Sequence, residues 1–260
     1  MKIGIFDSGI GGLSVLHRAL QVMPDDEFIY YADTDNVPYG EKPREVILNI
    51  VGNVMEFLVE RNVDAVVVAC NTATSVAIKA MRENYDLPII GMEPAVKKAR
   101  EEYPEGRTLV MATPVTVRGD KMKYLLERVD SEHLVDMIPM PKLVRFAESG
   151  IFDGNEVQDY IREQLKGTDL DAYTSLVLGC THFNYFKKAL RCQIPERIAF
   201  VDGIEGTVAQ LLRKVGRTPA DASESTPNVE YYYSGRPATP KEVEQINTCY
   251  VKLDEVSRDH

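Results

Sequence analysis

DAVVVACNTATS, residues 64–75, is an apolar run that stops at a cysteine and passes at once into hydroxyl and amide residues. A near-continuous apolar run marks a strand covered on both faces, and the capping residues behind it announce a helix N-terminus. Taken alone, Cys70 has two readings: a free cysteine filling a core as a small hydrophobe, or a reactive thiol at a strand end. The same layout returns at YTSLVLGCTHFN, residues 173–184, where Cys180 stands 110 positions beyond Cys70. Two such junctions in matching places indicate duplicated halves, with the two cysteines meeting across a cleft.

Along most of the chain, short β-like runs alternate with helical patterns. KIGIF (2–6), EFIYY (27–31), DAVVVA (64–69) and LPIIG (87–91) form a first group. TLVMA (108–112), HLVDMIP (133–139), TSLVLG (174–179) and RIAFV (197–201) form a second. This pattern predicts an α/β protein of two pseudo-symmetric domains, each a mainly parallel sheet flanked by helices. A helix is expected over Arg44–Arg61, with Val46, Ile47, Ile50, Val51, Val54, Phe57 and Leu58 on one face. Another is expected behind Thr113-Pro114, a capping residue with proline at the first helical position. GRTPADASESTPN (216–228) reads as an exposed connector, followed by a late strand at VEYYYSG (229–235) and a short helix.

Composition narrows the function. The chain has 260 residues, 44% hydrophobic and 27% charged, which is ordinary for a globular protein. Its net charge of −10 argues against a broad nucleic-acid surface. No apolar run reaches the roughly 18 residues of a membrane span, and MKIGIFDSG does not read as a signal peptide. Cysteines at 70, 180, 192 and 249 form no CxxC pair, which fits a reducing cytoplasm and no disulfide scaffold. The histidines, at 17, 133, 182 and 260, give no ligand set, so no metal is expected.

In open α/β sheets ligands bind beyond the carboxyl ends of strands, where Cys70, Cys180 and Asp7-Ser8 all fall. A helix N-terminus behind a cysteine favours the thiolate and predicts a lowered pKa. Two facing acid–base thiols suit inversion of a carbon centre without a cofactor, one removing a proton while the other delivers one from the opposite face. Asp7 is placed to orient or deprotonate one thiol, and His182 to serve the other unless it is merely a capping residue. Ser8, Asn71, Thr72 and Thr181 suit stabilisation of a carbanion beside a carboxylate, a role compatible with helix capping. DSGIGGLS (7–14) lacks the third glycine of GxGxxG, because Ser14 stands there, and reads better as a tight strand–helix turn than as a phosphate loop.

The set IGIFDSGIGGLSV, YYADTDNVPYG, VVACNTATS, IIGMEP and LVLGCTHF, in this order, resembles the bacterial glutamate racemases of the aspartate/glutamate racemase superfamily, from Lys2 to about Gly206. That resemblance implies an isomerase that needs no pyridoxal phosphate or other cofactor and interconverts L- and D-glutamate, the latter for peptidoglycan. It implies a homodimer, no nucleic-acid or membrane partner, and a cytoplasmic location. It further implies domains of 1–95 plus 207–260 and of 96–206, with the active site between them. Cys70 would deprotonate D-glutamate and Cys180 L-glutamate, helped by Asp7 and His182 respectively. Asp33 and Glu148 match supporting acidic residues. Asp7, Ser8, Pro38, Tyr39, Gly40, Asn71, Thr72, Thr181 and His182 fall on substrate-binding motifs, and Thr113 and Thr116 on a looser threonine element.

Some positions depart from the family pattern. Phe183-Asn184 replaces the usual Tyr-Pro, Gly203 stands for a serine, and Arg145 for a proline. Cys192 and Cys249 lie in no motif and read as structural. Other readings are a sister racemase acting on aspartate, a hydrolase using Cys180 and His182, and a binding module without turnover. The hydrolase leaves Cys70 without a task, and binding alone does not require paired thiols.

Overall fold

The computed structural model describes residues 1–220 and 228–258. Ten strands build two sheets: β1 (Lys2–Asp7), β2 (Glu27–Ala32), β3 (Ala65–Val68), β4 (Ile89–Gly91), β5 (Arg107–Ala112), β6 (Val135–Pro139), β7 (Tyr173–Gly179), β8 (Ala199–Val201), β9 (Asn228–Tyr233) and β10 (Arg236–Pro237). The first sheet has the order β10-β9-β2-β1-β3-β4 and the second β6-β5-β7-β8. Every pairing is parallel except the β9–β10 hairpin. The expected α/β class and paired parallel sheets are therefore present, each central strand buried on both faces.

Apolar runs explain the placement. Ala65–Val68 is wholly buried, and so is β1 from Ile3 onward. Each fully buried Val or Ile contributes about 1.5–3 kcal/mol relative to exposure, enough to hold these strands at the sheet centres. One apolar cluster runs continuously from Ile3 and Ile5 of the first sheet to Met111 and Leu176 of the second, so the two halves share a core.

Register then delivers residues to one end. Asp7 pairs with Ala32, so Asp33 lies beside the end of β1, its amide donating to the Asp7 carbonyl at 3.0 Å. Phe6 pairs with Val68, which carries Ser8 and Cys70 out of the sheet side by side. In the second sheet Ala112 pairs with Gly179, so Thr113 and Cys180 emerge together.

Three expectations need correction. The helix after the late strand is not short but runs Pro240–Arg258, 19 residues. A capping box starts it: the Glu242 amide donates to Thr239 Oγ1 at 3.4 Å, and the Thr239 amide donates to Glu242 Oε2 at 2.7 Å. Ile246, Cys249, Leu253 and Val256 then bury one stripe. The helix expected over Arg44–Arg61 ends at Val59, and Val46 is not on its buried face but 41% exposed, Met55 being buried instead. The late strand starts at Asn228 rather than Val229. Of the connector expected at 216–228, residues 221–227 lie outside the described residues. Among the described residues no helix is long and apolar enough to cross a membrane.

Candidate active site

The Asp7–Gly12 loop joins β1 to the helix Leu13–Val22 and lies against the second half of the molecule. A Cβ on Gly9 would sit 1.8 Å from Glu148 Oε1, and one on Gly11 would sit 2.4 Å from both His182 Nδ1 and Thr181 Oγ1. These glycines serve close approach of the loop to His182 and Glu148, in keeping with the tight-turn reading. Tyr30 donates its hydroxyl to the Gly9 carbonyl at 2.7 Å and Tyr185 to the Ile10 carbonyl at 2.8 Å, fixing the loop from behind. Buried carbonyls need such donors.

Cys70 is the N-cap of the helix Asn71–Asn84, and its Sγ accepts from the Ala73 amide at 3.4 Å. Its thiol points to Ser8 Oγ, 3.6 Å away. The helix terminus does not lower this thiol's pKa as expected: burial and the nearby Asp7 carboxylate push it up to about 12, against the Ala73 and Ser8 hydrogen bonds. Asp7 is itself fully buried. Its carboxyl accepts from the Gly9 amide at 3.0 Å and from the Thr181 hydroxyl at 3.0 Å, with no hydrogen bond to Cys70. Burial raises the Asp7 pKa, partly offset by the charge of His182.

Cys180 heads a 3-10 turn, Thr181–Phe186, and its Sγ lies 3.8 Å from His182 Nδ1. The other ring nitrogen, Nε2, lies 2.5 Å from Glu148 Oε1, which also accepts from the Ile10 amide at 2.9 Å. Burial opposes a charge on His182, yet the hydrogen bonds to Cys180 and Glu148 hold its pKa well above the ordinary histidine value. The cysteines thus have different surroundings, a hydroxyl and a buried carboxylate for Cys70 and an imidazole–carboxylate pair for Cys180. They are close enough for Cys180 to weigh on the ionisation of Cys70.

Hydroxyls line the remaining edge. Thr72 Oγ1 lies 2.8 Å from Thr113 Oγ1, which in turn donates to Thr116 Oγ1 at 3.0 Å. Thr113 caps the helix Pro114–Arg118 as its Thr-Pro pair predicts. Asn71 donates Nδ2 to the Met92 carbonyl at 3.1 Å, leaving its buried Oδ1 without a partner. Pro38 follows a cis peptide bond, and Tyr39–Glu41 form a 3-10 turn whose Gly40 packs on Thr113. The Tyr39 hydroxyl donates to Asp33 Oδ2 at 2.6 Å. The residues proposed for the site therefore gather at the ends of the two sheets, with Glu148 entering from the C-terminus of the helix Pro141–Glu148; Cys192 and Cys249 lie elsewhere. Asp33 groups with Tyr39, and Glu148 with His182.

A family model described as Asp/Glu/Hydantoin racemase matches residues 11–211. A glutamate racemase of Campylobacter curvus (strain 525.92) is 53% identical over 240 residues, 90% of either chain. The chain belongs to the glutamate racemase family. Among solved structures, the glutamate racemase of Campylobacter jejuni subsp. jejuni matches with a TM-score of 0.80 at 28% identity, over 98% of both chains. Escherichia coli glutamate racemase, solved in complex with L-glutamate and activator UDP-MurNAc-ala, gives 0.80 at 29% identity, over 97% of this chain and 94% of that one. In this racemase the side-chain hydrogen bonds of Cys70 and Cys180 go to Ser8, Ala73 and His182 and to none of the departing residues. Phe183 is fully buried, and Asn184 donates to the Thr181 carbonyl at 3.1 Å. Gly203 packs so tightly that a Cβ would stand 3.0 Å from the Glu93 carbonyl oxygen. Arg145 pairs with Glu41 across 104 positions.

Several residues of this neighbourhood escape sequence reasoning. Gly9 and Gly11 are legible as turn residues but not as partners of Glu148 and His182. Tyr30 lies in the motif YYADTDNVPYG without a role assigned to it, and Tyr185, Ser234 and Gln245 lie in no motif. The Ser234 hydroxyl donates to Asp33 Oδ1 at 3.1 Å, and Gln245 Nε2 donates to the Glu148 carbonyl at 3.5 Å. Only the pair Ser234-Gly235, a turn signal inside a strand pattern, marks one of them.

Proposed function

We propose that this racemase inverts the α-carbon of glutamate by two-base proton transfer between Cys180 and Cys70. The observation that carries the reading is the placement of two buried cysteines at equivalent strand ends of the two sheets, each with its own proton partner. In the L-to-D direction the Cys180 sulfur, as thiolate, takes the α-proton, and the electron pair is left on the α-carbon and its carboxylate. The Cys70 thiol then delivers its proton from the opposite face and becomes the thiolate. The D-to-L direction reverses each step. Cys70 is suited to be the acid of the first direction, since burial and Asp7 keep it protonated.

The surrounding groups supply the rest. His182, backed by Glu148, exchanges a proton with Cys180, and Asp7 and Ser8 serve Cys70. Hydroxyls of Ser8, Thr72, Thr113, Thr116 and Thr181 are available to the substrate carboxylates, where preorganised donors lower the barrier to a carbanion. The unpartnered Asn71 Oδ1 is an acceptor suited to the substrate ammonium. On the family resemblance the product serves peptidoglycan in the cytoplasm, and the working unit is a homodimer.

The test is α-hydrogen exchange in deuterated water. L- and D-glutamate are enantiomers with an equilibrium constant of one, so kcat/KM must fall equally in both directions in any variant. The asymmetry shows only in exchange. Cys70→Ser should lose at least about a hundredfold in racemisation, the smaller end of a general acid–base contribution. It should still exchange the α-hydrogen of L-glutamate with retention, and Cys180→Ser that of D-glutamate. Racemisation at the parent rate in either variant sinks the two-base scheme. Turnover of aspartate in preference to glutamate would overturn the substrate.

A further inference from the structure

We propose that Ser234, outside every motif and 201 positions from Asp33, is a positioning residue for the Asp33–Tyr39 side of the cleft. The proposal rests on the proposed function, in that it takes this side to face the substrate. Three observations carry it.

First, Ser234 is the wrong residue for its turn. Tyr233 pairs with Arg236, so Ser234 and Gly235 are the two loop residues of the β9–β10 hairpin, with φ of 45° and 87°. Two-residue loops with both φ positive prefer Asn-Gly, Asp-Gly or Gly-Gly, because other side chains are strained there. Strain of this kind persists where the surroundings make use of the residue.

Second, the hydroxyl is used, twice. It donates to Asp33 Oδ1 at 3.1 Å and accepts from the Asp35 amide at 3.0 Å, while the Ser234 amide donates to the Ala32 carbonyl at 2.8 Å. A glycine would supply the turn and the last of these bonds, but neither of the others.

Third, Asp33 depends on such donors. It is buried, and its carboxylate accepts from Ser234, from Asn36 Nδ2 at 3.1 Å and from the Tyr39 hydroxyl at 2.6 Å. Among the described residues no cation forms an ion pair with it, so neutral donors alone hold it. A buried acceptor that loses a partner shifts or pays a desolvation cost. The shift passes to Tyr39 and then to Gly40, which packs against Thr113. Ser234 thereby ties the returning C-terminal segment to a substrate-facing loop, acting through Asp33 and touching no reacting atom.

Two substitutions separate positioning from folding. Ser234→Gly relieves the turn but deletes the hydroxyl and its two hydrogen bonds, so its Tm should stay near the parent's, one effect offsetting the other, while KM for L-glutamate rises about tenfold. The value of kcat should stay within about twofold of the parent's, because the cysteines keep their own partners. Ser234→Thr keeps the hydroxyl but strains the turn, so its Tm should fall while KM stays near the parent value. A purely structural residue would show the reverse ranking in KM. Parental KM in Ser234→Gly overturns the proposal, as does an equal KM rise in both variants. Asp33→Asn is measured alongside. If it raises KM and Ser234→Gly does not, Ser234 alone is excluded. If Asp33→Asn leaves KM unchanged, the site reading beneath the proposal fails with it.

Discussion

His182 Nε2 lies 2.5 Å from a Glu148 oxygen that also accepts from the Ile10 amide, so one carboxylate joins the imidazole beside Cys180 to the glycine loop of the other half. Against burial, the hydrogen bonds to Cys180 and to Glu148 together raise the His182 pKa in the folded state. A folded pKa above the unfolded value means the native state binds more protons between the two, so stability from this group is complete below about pH 6.5 and declines as pH rises through the folded value. Glu148→Gln keeps the acceptor for Ile10 and removes the charge. Urea unfolding at pH 6 and pH 8.5 should show a smaller decline in the variant than in the parent. An equal decline would detach the effect from this pair.

Asp7 gives a second prediction, of opposite sense for stability and activity. Its carboxylate is buried and its pKa is raised, so ionisation at neutral pH destabilises the fold. By the same sign, stability from this group is present at low pH and lost as pH rises through the raised value. Asp7→Asn keeps an acceptor for the Gly9 amide and a partner for Thr181. Its Tm at pH 7 should equal or exceed the parent's while racemisation collapses. A lower Tm would show that the charge is compensated more fully than its neighbours suggest.

Gly11→Ala should damage the site by contact alone. The added Cβ would fall 2.4 Å from His182 Nδ1, on a ring packed in the interior rather than on a free side-chain end. Overpacking of this kind costs about 1–3 kcal/mol. The ring must also move relative to Cys180, so kcat/KM should fall more steeply than stability. A variant with normal activity would mean that the loop backs away freely.

Arg145 and Glu41 should matter little to folding. Their side chains are 63% and 37% exposed, and exposed ion pairs contribute about 0–1 kcal/mol. A double-mutant cycle with Arg145→Ala and Glu41→Ala should give a coupling below about 1 kcal/mol that disappears in 1 M salt, where screening acts within about 3 Å. A coupling of several kcal/mol would mark the pair as a fastening between the halves.

Much of this site is legible in the sequence, for a definite reason. Cys70 and Cys180 end strands that the apolar runs define locally, and Thr113-Pro114 caps a helix by its own chemistry. The helix Pro240–Arg258 is legible only as something short, because its buried stripe of Ile246, Cys249, Leu253 and Val256 is thin and interrupted by charge. Its capping box, Thr239 with Glu242, marks where the helix starts but not how far it runs.

Sequence by itself determined the strand–cysteine–helix junctions, the two-sheet class and which reactive side chains stand at the strand ends, since each depends on neighbours within a few positions. Tertiary structure decided which groups meet. Thr181 reaches Asp7 across 174 positions, Ser234 reaches Asp33 across 201, and the glycines open a path to Glu148 and His182. It also decided that the Cys70 pKa is pushed up, because a helix terminus acts locally while burial and the Asp7 charge arise only when β1 pairs with β3, distant in sequence, and the chain packs around them.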